Sequence, residues 1–373
     1  MTERRHVGIR DVARAAGVSI TTVSHALNEK GGVSDGTRRR VRAVAEELGY
    51  RPDPRGRQLA SGRTGLIALT VSLPDGVHAP VEEFAHNANL IDSATTAAIA
   101  RGLALVIVPA GEATIWERLP LDGVIVVDPV PDDAAVREMQ GRSAPIVTVG
   151  RVPGGSARTT VVDNDYVSGT TAMLDHLVAA GARRVGVLAA GTGESYESDS
   201  LAAYRSWCAT RDTEPWVCTA GDVDWSSPRT WDEIGSIARS VAAACLDRAD
   251  VPDALYCFAE VFAAAVLAEC VERGLSVPTD IMVASMSDRG MTAKAVPPLS
   301  TLDLHPRELG AAAAELLADL VEGTIVDPPP VTVPTTLVTR ASTARAQEGA
   351  STARAQEGAS TARAQEGAST ARA

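Results

Sequence analysis

Residues 9–27 read IRDVARAAGVSITTVSHAL, and this stretch decides how the N-terminal part of the chain folds. Four apolar side chains recur at the spacing of one helix face, namely Ile9, Val12, Ala13 and Ala16. That stripe predicts a first helix, about Ile9–Ala16, which buries one of its sides. Gly17 then allows the positive φ of a tight turn, and Ser19 is placed to cap a second helix. The stretch therefore predicts two short helices joined by a glycine turn.

The second helix is predicted to have an apolar side and a polar side. Three side chains are expected to point inward, namely Ile20, Val23 and Leu27. Five uncharged polar side chains are expected to point outward, namely Thr21, Thr22, Ser24, His25 and Asn28. Short hydroxyl and imidazole groups near a helix N-terminus can approach base edges in the major groove of DNA. The pattern favours DNA binding, and a three-helix bundle with a solvated face is the alternative.

A third helix is predicted to begin at the cap candidate Ser34 and to stop at Gly49. Its buried side is expected to hold Val41, Val44, Ala45 and Leu48. Its first turns carry four arginines, which are Arg38, Arg39, Arg40 and Arg42. Arginines neutralise phosphates and set the register of a protein on DNA, but they carry no sequence information.

Charge is unevenly distributed along the 373 residues, whose net charge is −12. Residues 1–62 hold 12 Lys and Arg against 7 Asp and Glu, so they carry +5 and the remaining residues carry −17. A small basic head on an acidic body is typical of a nucleic-acid-binding domain joined to a domain with another task.

Apolar runs alternate with helical patterns from about residue 65 to residue 340. The runs are Leu66–Val71, Leu103–Val108, Gly123–Val127, Ile146–Val149, Val185–Ala189, Ala254–Phe258 and Ile281–Ser285. The helical stretches include Glu82–Arg101, Gly169–Ala180 and Val261–Arg273. This alternation predicts α/β architecture with parallel sheets that are covered on both faces.

Several other classes of protein are disfavoured. The five cysteines are odd in number and form no CxxC pair, so we expect buried free thiols in a reducing cytoplasm. No apolar run approaches the ~20 residues that span a bilayer, and no apolar stretch of a signal peptide follows Met1. Catalytic motifs such as GxSxG, the P-loop and HExxH are absent from the sequence. We therefore predict a cytoplasmic protein that is not an enzyme, with no cofactor and no metal.

The head resembles that of the lactose-repressor family of bacterial transcription regulators. The resemblance rests on Ile9–Ser19, Thr22-Val23-Ser24, Asn28, Val33-Ser34, Thr37-Arg38, Val41, Leu48-Gly49-Tyr50 and Pro52. It implies that Ile20 and Thr21 open the recognition helix and contact bases, with His25 one turn further along. Many members carry Arg where His25 stands, so a different operator is implied. The DNA-binding residues expected are Ser19, Ile20, Thr21, Thr22, Ser24, His25, Asn28, Arg38 and Leu59.

Residues 51–64 are rich in Pro, Arg and Gly and are predicted to be a linker. In the family this segment folds into a hinge helix on the operator, and a pair of leucines wedges into the minor groove. Gln58-Leu59-Ala60 matches that motif, which makes Leu59 the wedge. Gly56 costs a helix roughly 1 kcal/mol relative to alanine, so this hinge is expected to need DNA in order to fold. A flexible linker with an incidental leucine is the alternative.

The body resembles the periplasmic-binding-protein-like core of the same family. Such cores have two α/β lobes joined by three crossovers, with a ligand in the cleft between them. The fold class implied is a helix-turn-helix headpiece with a hinge helix, followed by a two-lobed, periplasmic-binding-protein-like α/β core. The expected divisions are a DNA-binding domain, a hinge, an effector-binding and dimerisation core and a tail, at residues 1–50, 51–64, 65–340 and 341–373.

Departures from the family concentrate where its members bind an effector. Ser200 stands where an Arg is usual, Ala259-Glu260 replaces Asn-Asp, and Ser287 replaces the first Asp of a turn that continues with Asp288. Since charged groups that bind sugar hydroxyls are changed, a simple sugar effector is not expected. A less polar or cationic ligand, or a regulator that has lost effector control, are the two alternatives. The effector-binding residues expected are Asp165, Ser200, Tyr204, Glu260, Ser287 and Asp288.

The tail, residues 341–373, repeats the nonapeptide ASTARAQEG three times and ends in a six-residue remnant. It has no Leu, Ile, Val or aromatic residue, so we expect it to bury no face and to form no oligomerising coiled coil. Disorder or weak helicity is expected, and a neutral repeat expansion or a partner-binding role are the alternatives.

The function predicted is a homodimeric transcription regulator, a repressor, that binds a pseudo-palindromic DNA operator and responds to a small molecule in the core cleft. One rival is a solute-binding protein with a vestigial head, which would bind a ligand but show no salt-dependent DNA affinity. The other is an α/β enzyme with an accessory DNA-binding head, which would need a catalytic constellation of Ser, Cys or metal ligands.

Overall fold

The computed structural model describes residues 7–27, 32–50, 63–72, 84–109, 113–155, 158–191, 194–221, 223, 230–288 and 291–345. The chain separates into two compact units, Met1–Gly65 and Leu66–Ala373. The described part of the first unit is helical, and the second unit is built from two sheets with helices on their faces.

The first unit contains three helices, α1 (Ile9–Ala16), α2 (Ile20–Leu27) and α3 (Asp35–Glu47). Their shared core is formed by Val12, Ala13, Ala16, Val23, Ala26, Val41 and Ala45. Ile20 is 44% exposed, so the prediction that it points inward is wrong. The reason is its position: side chains in the first turn of a helix lean past the helix start. Ala26 takes the inner position instead and is completely buried.

The first lobe of the second unit is a fully parallel, six-stranded sheet with the order β11-β5-β4-β3-β1-β2. Its strands are β1 (Leu66–Val71), β2 (Ala104–Ile107), β3 (Gly123–Val127), β4 (Ile146–Val149), β5 (Thr160–Asn164) and β11 (Val331–Val333). Its helices are α4 (Phe84–Ala100), α5 (Ala113–Arg118), α6 (Ala134–Gly141) and α12 (Pro306–Glu322). The strands read as continuous apolar runs because both faces of the sheet are covered.

The second lobe has the strand order β12-β10-β9-β8-β6-β7, and β12 is its one antiparallel strand. The strands are β6 (Val185–Ala189), β7 (Trp216–Thr219), β8 (Ala254–Cys257), β9 (Met282–Ser287), β10 (Ser300–Asp303) and β12 (Thr336–Val338). The helices are α7 (Tyr166–Ala179), α8 (Ser195–Thr210), α9 (Trp231–Leu246), α10 (Glu260–Glu272) and α11 (Met291–Lys294), with a 3-10 turn at Ala341–Thr343. Helix α7 begins three residues before the predicted start at Gly169, because the Asp165 side chain caps it.

The chain passes between the two lobes at three places. It leaves the first sheet after β5, returns to the first lobe in α12 after β10, and crosses once more between β11 and β12. Helix α12 belongs to the first lobe because it packs closely on α4: a Cβ at Gly310 would collide with the Leu90 carbonyl oxygen. The expectation of two lobes joined by three crossovers is confirmed.

The cysteines are not all free, as had been expected. Cys218 of β7 and Cys245 of α9 form a disulfide with a Cα–Cα distance of 6.1 Å. Cys208, Cys257 and Cys270 are free and buried. Burial raises the pKa of the Cys270 thiol to about 11. The pair was missed because its sequence separation of 27 matches no motif, and only the packing of α9 on its own strand β7 brings the two sulfurs together.

The beginning of the repeat tail is part of the fold, contrary to the expectation that the tail buries no face. Ser342 is completely buried and Thr343 is 1% exposed. Both hydroxyls make hydrogen bonds inside the second lobe, so the segment is anchored by polar contacts and needs no apolar face. The predicted boundary at residue 341 therefore lies within the packed core.

Candidate DNA interface and interlobe cleft

Local hydrogen bonds set the geometry of the headpiece turn. Gly17 ends α1 with φ +64°, and its N–H donates to backbone carbonyls of the last turn. The Ser19 hydroxyl then accepts from the Thr22 N–H at 3.0 Å, which confirms the predicted cap of α2. At the start of α1, Gly8 has no side chain to serve as a cap, but its own N–H donates to the Asp11 carboxylate at 3.0 Å. These bonds hold α1 and α2 as a helix-turn-helix.

The outward face of α2 begins with three exposed residues, Ser19, Ile20 and Thr21. Thr22, Ser24 and His25 are half-buried. The exposed start of the helix is therefore small and uncharged, which suits close approach to base edges. Ile20, although it was expected to be buried, adds an apolar contact to this face. Asn28 and Leu59, two further predicted DNA-binding residues, lie outside the described residues.

Helix α3 presents a basic surface. Its cap is Ser34, whose hydroxyl accepts from the Thr37 N–H at 3.4 Å. Arg39, Arg40 and Arg42 are exposed, whereas Arg38 is half-buried. Exposed guanidinium groups of this kind bind phosphates without reading sequence, so α3 can supply affinity while α2 supplies discrimination.

The two lobes meet at the carboxyl ends of their strands. Arg151, which follows β4, donates from Nη2 to the Asp199 carboxylate of α8 at 2.7 Å. Its backbone N–H donates to the Ser195 hydroxyl, also in α8, at 3.2 Å. In α/β proteins, ligands bind at this edge of the sheet. The Arg151–Asp199 pair thus bridges the lobes at the rim of the candidate cleft.

Asp165 lies at the first crossover, where its carboxylate accepts from the Ser168 N–H at 2.9 Å and caps α7. A pocket of about 280 Å³ opens beside it, with Arg151, Asp163, Asp165, Tyr166, Asp199 and Thr332 among its walls. Burial raises the pKa of Asp163 to about 6; the Asn164 N–H and Arg151 oppose this shift. Of the six effector residues expected from the sequence, Asp165 alone lines this pocket.

Three of the expected effector residues lie at the carboxyl edge of the second sheet. Ser287 donates to the Glu260 carboxylate at 3.2 Å, and both side chains are buried. Asp288 accepts from Thr292 at 2.8 Å and from Arg340 at 2.6 Å. The Asp288 carboxylate is therefore neutralised by Arg340, whereas Glu260 is held by a neutral hydroxyl donor.

Ser200 and Tyr204, the other two, lie inside the second lobe. Tyr204 has no exposed surface, and its hydroxyl donates to the Val185 carbonyl at 2.8 Å while accepting from the Trp216 N–H at 2.9 Å. A ring that packs in the core and spans β6 and β7 has no face on which a ligand could stack, so we withdraw that expectation. Ser200 is likewise completely buried.

Two acidic and aromatic side chains of the cleft were missed in the sequence. The buried Glu197 carboxylate accepts from the Gly191 N–H at 2.8 Å and so fixes the loop after β6. Burial, together with Glu194, Glu197 and Asp128, raises the pKa of Tyr196 well above its ordinary value, which keeps the phenol protonated. Their signal was position: both follow the carboxyl end of a predicted strand, in the first turn of the next helix.

The described residues contain no cluster of His, Cys, Asp or Glu that could hold a metal ion. Within the same residues, no helix has the length and apolarity that a bilayer crossing requires.

Two family models match this chain. Residues 8–53 match the bacterial regulatory proteins of the lacI family, and residues 174–343 match a periplasmic binding protein-like domain. The first match covers α1 to α3 and the second covers most of the second lobe together with α12. The match at the headpiece is independent of the core, so both halves of the predicted architecture are recognised.

Full-length relatives are transcriptional regulators rather than enzymes. The HTH-type transcriptional regulator CelR of Thermobifida fusca is 27% identical over 352 residues, which cover 92% of this chain and 100% of the relative. The lactose operon repressor of Escherichia coli (strain K12) is 26% identical over 340 residues, covering 90% and 91%. The purine-type repressor PurR of Photobacterium profundum is 26% identical over 324 residues, covering 84% and 92%.

Solved structures share the fold. The lac repressor dimer bound to operator and the anti-inducer ONPF superposes with a TM-score of 0.67 at 24% identity, covering 91% of this chain and 100% of that one. A CelR–cellobiose complex has a TM-score of 0.63 at 24% identity, covering 90% and 99%. With a lacI-type headpiece, a periplasmic-binding-protein-like core and full-length regulators as relatives, this chain is a DNA-binding transcriptional regulator that belongs to the lactose-repressor (lacI) family.

Proposed function

We propose that this chain is a homodimeric repressor that places α2 in each half-site of a pseudo-palindromic operator. The observation that carries this proposal is the exposed start of α2, where Ser19, Ile20 and Thr21 stand beyond a rigidly capped turn. A single short helix reads few base pairs, so two heads on two half-sites are needed for specific recognition. The lac repressor structure, a dimer on an operator, is the matching arrangement in a relative.

Each headpiece residue has a proposed task. Ile20 and Thr21 contact base edges, and His25 reads a base one turn further along. Ser19, Thr22, Ser24 and Asn28 support this face through hydrogen bonds to bases or backbone, and Arg38 binds a phosphate. Leu59 is the proposed minor-groove wedge of a hinge helix.

The proposed division of the chain follows from these tasks. Residues 1–50 bind DNA, residues 51–64 form the hinge, residues 65–340 dimerise and bind the effector, and residues 341–373 are the repeat tail, whose first residues also pack on the core. A regulator that binds operators acts where the chromosome is, so we place the protein in the cytoplasm, on the nucleoid.

The effector proposed for the cleft is a cationic or N–H-donating molecule rather than a simple sugar. Asp165, Glu260, Ser287 and Asp288 are its proposed contacts; Ser200 lies deeper, inside the second lobe. Glu260 supports this chemistry, because a buried carboxylate held by the Ser287 hydroxyl accepts hydrogen bonds and attracts positive charge. Cellobiose is bound by the related CelR, which makes a neutral disaccharide the natural competitor in a test.

DNA recognition is tested by selecting operators from a random pool and measuring fluorescence anisotropy at physiological salt. Thr21→Ala should cost roughly 1–3 kcal/mol on the selected operator and nothing on random DNA. Arg39→Ala should weaken both and lower the salt slope by about 1. Arg205→Ala, an exposed arginine of α8, is the matched control and should change neither. Failure to prefer any palindrome over random DNA would sink the proposal.

The effector is tested by thermal shift with cellobiose, a nucleoside and a polyamine. A cationic compound should raise the Tm, since a ligand of the native state stabilises it, and Glu260→Gln should abolish the shift. Glu315→Gln, an exposed glutamate of α12, is the control. Stabilisation by cellobiose that survives Glu260→Gln would contradict the cationic effector, and no stabiliser at all would favour a regulator without effector control.

A further inference from the structure

The first copy of the repeat motif is bound to the second lobe by a single arginine with all its donors used. Arg345 donates from Nε to the Pro278 carbonyl at 2.9 Å. Its Nη1 donates to the Gly181 carbonyl at 3.2 Å and to the Asp253 carboxylate at 3.0 Å. Its Nη2 donates to the carbonyls of Asp253 and Asp280 at 3.1 and 3.4 Å. A guanidinium has five N–H groups, and here each has an acceptor.

The serine and threonine of the same copy enter the lobe beside it. The Ser342 hydroxyl accepts from the Ser300 N–H at 2.9 Å, and the Ser342 N–H donates to the Pro298 carbonyl at 3.0 Å. The Thr343 hydroxyl lies 2.7 Å from both the Ser300 hydroxyl and His176 Nε2. The lobe therefore offers a defined polar receptor, which we call the socket, formed by His176, Gly181, Asp253, Pro278, Pro298, Asp280 and Ser300.

The charge and burial of the socket select an arginine. The Asp253 side chain is 14% exposed and the Arg345 side chain 19%. Burial alone would raise the pKa of Asp253, but the N–H groups of Arg184 and Arg183 and the Arg345 guanidinium outweigh it and lower the pKa. Asp253 is thus an anion that the fold keeps ready for a guanidinium. Carbonyls that converge on one planar group add the geometry that a lysine cannot satisfy.

The sequence holds three more copies of the seated segment. Ala-Ser-Thr-Ala-Arg occupies 341–345 in the socket and recurs without change at 350–354, 359–363 and 368–372. Every side chain that contacts the socket from the first copy is therefore present three more times, at a spacing of nine residues.

We propose that the second lobe carries a peptide-binding socket for Ala-Ser-Thr-Ala-Arg, and that the further copies in the same chain are interchangeable ligands for it. Seating the second copy turns residues 341–349 into a loop, whose closure cost grows only slowly with length. Nine residues span far more than the single-residue gap between Arg340 and the seated segment. A tethered copy has an effective concentration near the millimolar range, so it outcompetes copies from another chain. The repeats thus act as a redundant latch on the lobe.

The test uses the full chain with alanine in place of different arginines. Arg345→Ala removes the seated arginine but leaves three spares, so we expect a Tm within about 2 °C of the parent. The triple variant Arg354→Ala, Arg363→Ala and Arg372→Ala keeps the seated copy and should match the parent too. The quadruple variant that combines all four changes should lose at least about 5 °C, because the buried acceptors of the socket are left without a donor.

Three outcomes would overturn the proposal. They are a single Arg345→Ala variant as unstable as the quadruple one, a quadruple variant as stable as the parent, and a triple variant that loses stability. Added Ala-Ser-Thr-Ala-Arg peptide should restore the Tm of the quadruple variant, whereas the peptide with Arg→Ala should not. The Tm difference between parent and Arg345→Ala should be independent of protein concentration; a difference that shrinks as concentration rises would show that another chain supplies the copy.

Discussion

The headpiece and the core are held by contacts of very different sequence range. In the headpiece, the bonds Gly8–Asp11, Ser19–Thr22 and Ser34–Thr37 each join residues three apart. In the core, Arg340 reaches Asp288 across 52 residues and Arg151 reaches Asp199 across 48. The recognition face is therefore built by local sequence, whereas the cleft is assembled by the fold.

This difference explains which changes each region tolerates. A local cap can be replaced by a neighbouring donor or by water, so its loss is modest. A partner buried in the core leaves a polar group that no neighbour can reach, so the loss of that partner is costly. Stability effects should accordingly fall as the range of the broken contact shortens and its exposure rises.

The largest effect is expected from reduction of the Cys218–Cys245 disulfide. A closed loop of 27 residues corresponds to about 3.5 kcal/mol of stabilisation on the chain-entropy account. Chemical denaturation with and without reductant measures it. The Cys218→Ser/Cys245→Ser variant is the control and should be as stable as the reduced parent and indifferent to reductant. An unchanged denaturation midpoint on reduction would show that the link contributes nothing.

Asp163→Asn should stabilise the protein at neutral pH. The folded pKa of about 6 lies above the model value of 3.8, so folding favours the protonated carboxyl. The stability that this group contributes is present below pH ~4 and is lost as the pH rises through 6. At pH 7 the variant should therefore be more stable by up to about 3 kcal/mol, and at pH 4 the two should be equal.

Denaturation of Asp163→Asn and the parent across pH 4–7 tests this dependence. Arg151 keeps its 2.7 Å hydrogen bond to Asp199 in the variant, so the bridge between the lobes survives. Asp199→Asn is the matched control and should not stabilise the protein. A stability difference that does not change with pH would exclude burial of the Asp163 charge as the cause.

Asp288→Ala should destabilise the core by about 2 kcal/mol, because it strips a carboxylate from the partly buried Arg340 guanidinium. Arg340 keeps the Leu299 carbonyl at 2.7 Å and the Thr301 hydroxyl at 3.0 Å, which limits the loss. Urea denaturation measures it, and Asp250→Ala, an exposed partner of Arg248, is the control with a smaller effect. Equal losses in the two variants would argue against the role of burial.

Ser19→Ala should have the smallest effect, about 1 kcal/mol, confined to the headpiece. The α2 amides should then exchange with solvent roughly fivefold faster when DNA is absent. Ser19→Gly is the matched variant and should cost only a few tenths of that amount, since glycine is tolerated as a cap. Faster exchange in the core as well would contradict a purely local cap.

The fold was readable from sequence where the pattern was local and regular. Helix α1 and the strands β1, β3, β4 and β6 begin and end at the predicted residues, because their apolar spacing is set within a few neighbours. Ile20 was misplaced because a helix-face pattern does not show where the helix starts relative to its core. Tyr204 was misplaced because a landmark in sequence does not say which side of α8 faces the cleft.

By itself the sequence determined the class of protein: a capped helix-turn-helix with a polar uncharged reading face, followed by apolar strands that alternate with helices. Those properties are encoded in spacings of two to seven residues, so they need no knowledge of what lies elsewhere. Only the tertiary structure decided that Cys218 meets Cys245, that Arg340 neutralises Asp288, and that Arg345 seats the first repeat in the second lobe. Each of these contacts depends on elements distant in sequence packing against one another, because burial selects the partners once the sheets have formed.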